Sequence, residues 1–329
     1  MHGILLINLG SPDDTKLSSI KSYLKEFLMD EYVIDIPKTI RNLLVNWIIV
    51  PFRSRGTQKA YSSIWTDEGS PLILNTVKTA KKLEERLGTP VECAMRYKNP
   101  SIESALKSLS KKGCTTLKVI PLYPHYAMAT SLTTELEVKR VVKELGLELE
   151  LNFVSSFYNE KGYIDSLSSK IDEHLTPGID YLLFSYHGVP ERHITKTDPT
   201  KTHCLKKENC CEIDSAATPY CYKAQVLETS RLCASKLNLE SQRWGVAFQS
   251  RIGPGWLQPF SDIELKELPK RGKKNIAVVC PAFIADNLET LEEMDIRGRE
   301  TFLEAGGESF AFIPCLNSDD SFIDFLSSI

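Results

Sequence analysis

His187 follows the apolar run Tyr181–Ser185 inside S-Y-H-G-V-P, where a histidine at the carboxyl end of a buried strand and a following glycine turn would project into a crevice. An imidazole titrating at about 6.5 when unperturbed suits proton transfer, or metal binding in its neutral form. A loop histidine held by hydrogen bonds for structure has the same local sequence. Asp286, Glu289 and Glu293 are spaced by 3 and 4, which predicts one shared helix face. Asp286 with Glu289 also fits a D-x-x-E capping box, in which acids in a first turn complement the helix dipole. Cys204, Cys210, Cys211 and Cys221 form C-x5-C-C-x9-C in a polar stretch without helix or strand periodicity. A metal centre would supply the constraint that such a stretch lacks. Four thiolates suit tetrahedral zinc or an iron–sulfur cluster, and adjacent Cys210 and Cys211 favour a binuclear cluster because successive side chains diverge. Free thiols crowded by chance are the competing reading.

These groups need elements to position them. Short apolar runs alternate with amphipathic ones, as in a doubly wound α/β protein. The expected strands are Gly3–Leu9, Pro90–Met95, Thr115–Pro121, Leu149–Val154, Tyr181–Ser185, Arg243–Gln249, Asn275–Cys280 and Ser309–Ile313. Helices are expected over Pro71–Leu87, between Ser70 and Gly88, and over Ile102–Lys111, between Ser101 and Gly113. GILLINLGSP and DYLLFSYHGVP share an apolar strand leading to Gly-x-Pro or Gly-Val-Pro-type turns, with Gly10 and Gly188 in matching places. TLKVIPLYP and NIAVVCPAF repeat a strand that ends at Pro121 or Pro281. Two similar α/β lobes are therefore expected, residues 1–158 and 159–329, with ligands outside the carboxyl ends of the strands. Arg96, Tyr97, Tyr123, Tyr126, Arg251 and Trp256 all fall just past strand ends. Each alone reads as packing or surface; together they would suit a flat apolar ligand carrying carboxylates.

Composition narrows the classes. With 40 Lys+Arg against 43 Asp+Glu, the net charge of −3 removes the electrostatic basis for nucleic-acid binding. There is no Walker A sequence and no G-x-S-x-G elbow, and Gly253 and Gly255 are followed by Gln258 where a dinucleotide fingerprint needs glycine. The start MHGILLINLG lacks a basic n-region and a small-residue cleavage site, so the expected compartment is the reducing cytoplasm. Of nine cysteines, Cys93, Cys114, Cys233, Cys280 and Cys315 are expected to be buried thiols. No run is long enough to span a bilayer. Ile40–Phe52, with Lys38, Arg41, Arg53, Arg55 and Lys59 as its basic flanks, reads either as a core helix or as an interfacial segment on a bilayer's inner face or a greasy ligand.

Together L-I-N-L-G-S-P, E-F-L-M-D, G-S-P-L, M-R-Y, P-L-Y-P-H-Y, S-Y-H-G-V-P-E-R, F-Q-S-R-I-G-P, W-L-Q-P, C-P-A-F-I-A-D-N-L-E-T-L-E-E and I-P-C-L-N resemble the ferrochelatases along nearly the whole chain. The resemblance implies the chelatase fold, two Rossmann-like lobes with parallel sheets flanked by helices around a porphyrin cleft. It implies insertion of Fe²⁺ into protoporphyrin IX, with haem as product and two protons released. His187 would be the active-site histidine and Glu289 its facing carboxylate, together meeting the Fe²⁺ substrate. Asp286 and Glu293 would continue an acidic path for protons or metal. Arg96, Tyr97, Tyr126, Trp256 and Leu9 would touch porphyrin. Asn287 stands where relatives often carry histidine.

The segment Lys201–Pro219 looks inserted relative to shorter bacterial members. It resembles the variant that carries a [2Fe-2S] cluster within the second lobe, here on Cys204, Cys210, Cys211 and Cys221, with structural zinc as the alternative. Two other functions compete. One is another tetrapyrrole metal chelatase, of coproporphyrin or sirohydrochlorin type; a cobalt or nickel enzyme for a sirohydrochlorin-type ring would lean on paired histidines, for which His125 is the second candidate. A non-catalytic iron–sulfur or haem carrier would need neither His187 nor Glu289.

Overall fold

The computed structural model describes residues 1–251 and 253–329; Ile252, inside the F-Q-S-R-I-G-P motif, lies outside the described residues. Eight strands among the described residues are β1 (His2–Gly10), β2 (Val91–Tyr97), β3 (Thr116–Pro121), β4 (Glu150–Phe153), β5 (Tyr181–His187), β6 (Trp244–Gln249), β7 (Asn275–Val279) and β8 (Ser309–Ile313). Every strand expected from the apolar runs is present, with ends shifted by up to two residues. The shift at β5 matters, because His187 is itself the last strand residue and pairs in register with Gln249.

Contacts divide the chain into two units. The first contains Met1–Tyr123, Met128–Ser155 and Leu326–Ile329, and the second contains Pro124–Ala127 and Ser156–Phe325. The first unit's sheet has the order β2-β1-β3-β4 and the second's β6-β5-β7-β8, all pairs parallel. The same order arises because each unit repeats one pattern of apolar strand, turn and amphipathic helix. Parallel strands covered on both faces must be apolar throughout, which explains continuous runs in place of alternation. Leu5, Ile7, Leu117 and Val119 fill one core with Leu106 and Val138 from helices, while Leu183, Ile276 and Val278 meet Leu265, Met294 and Phe302 in the other.

Helices Pro71–Leu87 and Ile102–Lys111 run as the caps predict. The Ser101 hydroxyl accepts the Ser104 N–H, and Gly88 takes the left-handed conformation that ends its helix. Ser70 has the extended backbone of a cap but makes no side-chain capping bond. What periodicity did not predict is π-helix, which forms over Leu44–Ile49, Met128–Leu132 and Leu288–Gly298. Such i→i+5 segments are rare and concentrate at functional sites.

The Ile40–Phe52 segment is not a core helix. Val45 and Val50 pack with Leu28, and Arg41 is buried with its Nη1 donating to the Ile34 and Ile36 carbonyls. Ile40, Leu43, Trp47, Ile48 and Phe52 face outward, with Trp47 73% and Phe52 81% exposed. Each forfeits part of the roughly 1.5–3 kcal/mol that full burial of a large apolar side chain contributes. Among the described residues no helix is long and apolar enough to cross a membrane.

Candidate functional site

In the second unit, β5 ends at His187 and the backbone turns at Gly188, whose N–H donates to the Gln249 carbonyl at 2.8 Å. A Cβ at Gly188 would lie 2.8 Å from the Gln249 oxygen and 3.2 Å from the Trp256 ring, so the close approach of β5 to β6 requires glycine there. His187 Nδ1 sits 2.6 Å from the Gly188 carbonyl oxygen. A carbonyl only accepts, so Nδ1 carries the hydrogen, and Nε2 is the nitrogen whose lone pair is exposed whenever the ring is neutral. The Tyr222 hydroxyl donates to the His187 carbonyl, and Phe283 meets the imidazole edge-on at 6.2 Å.

Glu289 stands in the first turn of Leu288–Gly298. The capping box expected from Asp286 and Glu289 is formed instead by Asn287 and Thr290. Asn287 Oδ1 accepts the N–H groups of Glu289 and Thr290, while the Thr290 hydroxyl accepts the Asn287 N–H. Asn287 therefore fixes the helix start and leaves the Glu289 carboxyl uncommitted to capping. Glu289 is partly accessible as a residue, yet its carboxyl lies among protein atoms. Burial raises it above the usual carboxylate range, and the neighbouring His187 pulls the other way.

Asp286 lies before the cap, not on the helix face with Glu289. Its carboxylate accepts from the Cys315 N–H at 3.0 Å, Asn317 Nδ2 at 2.7 Å and the Thr290 hydroxyl at 3.3 Å. Glu293 accepts from the Ser250 N–H at 2.8 Å and from its hydroxyl. Gln249 links the two strands to the helix, since its Oε1 accepts from the Ser185 hydroxyl at 2.6 Å and its Nε2 donates to the Glu289 carbonyl. Trp256 is half-buried in a backbone bridge with Pro190, and Tyr126 donates its N–H to Gln225 while its ring meets Tyr220 edge-on at 5.4 Å.

In the first unit, Gly10 pairs with Tyr97 where β1 and β2 end, and its φ of +115° with a virtual Cβ 2.0 Å from the Tyr97 oxygen excludes any side chain. Leu9 is half-buried beside it, its N–H donated to Asn8 Oδ1. Arg96 and Tyr97 are not free cation and free phenol. Both donate to Asp30, at 2.6 Å and 2.8 Å. Burial, then the Asp30 carboxylate, hold the Tyr97 hydroxyl well above its ordinary titration range.

The cysteine segment of the second unit is organised by Asp198, whose carboxylate accepts the N–H groups of Thr200, His203 and Cys204. All nine cysteines are free thiols; four of the five expected to be buried are, and Cys93 is half-buried. Cys210 and Cys211 sulfurs are 3.9 Å apart. A hydrogen bond from Cys211, reinforced by the Cys204 thiol and by backbone N–H groups where Tyr222–Lys236 begins, lowers Cys221 to about 6 against the effect of burial. That bond pushes the Cys211 thiol up, and burial followed by Cys221 raises Cys204 to about 12. The Cys204 and Cys211 thiols both hydrogen-bond with Cys221. Among the described residues, no group of three or more His, Cys, Asp or Glu side chains is arranged to close on a single metal ion.

Residues 1–329 match the family described as Ferrochelatase. The chain belongs to the ferrochelatase family. Ferrochelatase of Pseudomonas fluorescens is 45% identical over 100% of this chain and 97% of its own length, and that of Opitutus terrae 46% identical over 99% and 96%. In fold it is similar to SirB from Bacillus subtilis, solved with Fe³⁺, at a TM-score of 0.56 and 12% identity over 99% of this chain and 93% of that one. Ferrochelatase activity, iron insertion into a porphyrin for haem biosynthesis, is a metal-chelatase lyase reaction.

Against this ferrochelatase framework, the residues that sequence reasoning left unassigned are Asp30, Gln249, Ser250 and Asn317. All lie inside the quoted motifs E-F-L-M-D, F-Q-S and I-P-C-L-N, so the signal was present without a partner to give it meaning.

Proposed function

We propose that this ferrochelatase inserts Fe²⁺ into protoporphyrin IX, with His187 as the base that receives pyrrole protons and Glu289 as its carboxylate partner. The observation that carries the reading is the His187 Nδ1 contact to the Gly188 carbonyl, which leaves Nε2 as the bare lone pair beside a carboxyl of raised affinity for protons. Each turnover exchanges two pyrrole N–H bonds for iron–nitrogen bonds and releases two protons. In a planar ring the pyrrole N–H groups are very weak acids, and the lone pairs of the two imine-type nitrogens point in the plane toward the ring centre. Bending the macrocycle exposes them, at a strain of about 1–5 kcal/mol supplied by contacts to the remote ring. Glu289, whose ionised carboxylate binds a proton more tightly than an ordinary one because it is buried, accepts the proton onward from His187 and must release it before the next transfer. Glu293, tied to Ser250, is the next acid in line, and Asp286 anchors the turn that carries them. Arg96, Tyr97 and Leu9 of the first unit, and separately Tyr126 and Trp256 of the second, are read as porphyrin contacts.

The lobes are read as residues 1–158, with the porphyrin lip, and 159–329, with the catalytic pair and the cysteine loop. The lip is Ile40–Phe52, and its outward Trp47 and Phe52 with flanking lysines and arginines support peripheral contact with the inner face of the cytoplasmic membrane. Cys204, Cys210, Cys211 and Cys221 would hold a [2Fe-2S] cluster. Adjacent Cys210 and Cys211, with sulfurs 3.9 Å apart, favour a binuclear group over zinc, and the cluster would supply one-electron redox chemistry or structural bracing apart from iron insertion.

The test is an anaerobic assay with Fe²⁺ and protoporphyrin, coproporphyrin or sirohydrochlorin in turn, following loss of porphyrin fluorescence. The reading expects the highest kcat/KM for protoporphyrin; a higher value for either other ring overturns the substrate assignment.

A further inference from the structure

Asp30 lies just past the helix Leu17–Leu28, and a single oxygen of its carboxylate gathers three donors from elsewhere in the first unit. Asp30 Oδ2 accepts from Arg96 Nη2 at 2.6 Å, the Tyr97 hydroxyl at 2.8 Å and the Thr133 hydroxyl at 2.6 Å, while Oδ1 accepts the Tyr32 N–H at 2.7 Å. Arg96 also spends Nε on the Thr133 oxygen at 3.0 Å and stacks its guanidinium 4.5 Å over the Tyr97 ring. The side chains of Arg96 and Asp30 are 14% and 5% exposed. Bidentate capture of a carboxylate needs two parallel N–H groups on one edge of the guanidinium. The Nε–Nη2 edge of Arg96 is already engaged, and the charge is matched at contact distance.

We propose that Asp30, by neutralising and orienting Arg96, sets the porphyrin preference of the enzyme, excluding rings with a carboxylate at the Arg96 position. The inference rests on the reading that Arg96 and Tyr97 face porphyrin. Half-buried Phe27, edge-on at 5.2 Å to the buried Tyr97 ring, and the neutralised Arg96 leave an uncharged surface that suits a vinyl substituent. A propionate there meets no free cation and has the Asp30 charge behind that surface. Protoporphyrin carries two propionates and coproporphyrin four, so the device discriminates between them. Asp30 acts through Arg96 and is a positioning residue, not a catalytic one.

The experiment compares KM and kcat for both porphyrins at low and high salt in wild type, Asp30→Asn and Asp30→Asn/Arg96→Gln, with thermal melts for folding. Asp30→Asn frees the Arg96 charge, so its KM for coproporphyrin is expected to fall at least fivefold relative to protoporphyrin, an effect that salt weakens. Adding Arg96→Gln is expected to reverse that gain. A folded Asp30→Asn variant whose two KM values move together overturns the proposal while leaving the porphyrin-facing reading intact; KM values unmoved for both rings overturn both. If Asp30→Asn does not fold, the double variant decides, because a tenfold or greater fall in coproporphyrin use relative to protoporphyrin would show Arg96 already serving as a free cation in wild type.

Discussion

His187 and Gly188 are joined by more than the chain: the imidazole Nδ1 and the Gly188 carbonyl oxygen stand 2.6 Å apart, at the point where β5 ends and the backbone passes closely by Gln249. The contact fixes the tautomer before any substrate arrives. It also ties the ring's tautomer to the fold, since the turn that aims the carbonyl needs the absent Cβ of Gly188.

Glu289→Gln is expected to abolish iron insertion while raising the melting temperature by a few °C at neutral pH. Burial raises the Glu289 pKa, so the folded state binds the proton more tightly than the unfolded state. Wild-type stability from this group is complete below the ordinary carboxylate range and is lost as pH rises through the raised folded value. The gain from Gln should therefore be largest at neutral pH and vanish in acid. Melts of both proteins across pH 4–8 check it; a gain that grows in acid would contradict the sign.

Asp286→Ala removes an acceptor for three donors, two of them in the I-P-C-L-N segment. The expected loss is roughly 2–4 kcal/mol in urea unfolding, because hydrogen bonds to charged groups contribute about 1.5–3 kcal/mol each and are partly replaced by water. A stability change under about 1 kcal/mol with a hundredfold fall in kcat would instead make Asp286 a direct proton carrier.

Protein purified anaerobically should be coloured, with visible charge-transfer absorption and acid-labile sulfide, and Cys204→Ser should lose both. Colourless protein without sulfide but with one equivalent of zinc would assign the four thiols to zinc.

Replacing Trp47 and Phe52 together by Glu should lower partitioning onto vesicles containing anionic lipid at least tenfold in a sedimentation assay. The change removes apolar area and adds repulsion from the surface. Unchanged partitioning would remove the lip from any membrane role.

Much of this was legible in the sequence because it is local. Strand positions follow from runs such as GILLINL and NIAVV, which only a doubly covered parallel sheet buries fully. His187 was legible because the strand, the histidine and the glycine are adjacent. The acidic helix was half legible: the spacing of Glu289 and Glu293 held, but the spacing argument assumed an α-helix that began at Asp286. Asn287 starts the helix one residue later, and its π geometry has no hydrophobic signature distinct from α. The Arg96–Asp30 pair was not legible, because 66 residues separate the partners and an arginine after a strand looks the same whether free or neutralised. Similarly, the outward face of Ile40–Phe52 is a tertiary fact, set by which side Val45 and Val50 offer to Leu28.

The central claim is that Nε2 of His187 takes the pyrrole protons, and His187→Ala tests it most directly. Anaerobic single-turnover assays with Fe²⁺ and protoporphyrin, alongside porphyrin binding by fluorescence, should show insertion reduced at least a hundredfold, in keeping with the roughly 10²–10⁴-fold contribution of a positioned base, with Kd for porphyrin within threefold of wild type. Insertion at the wild-type rate by a folded His187→Ala protein would contradict the account.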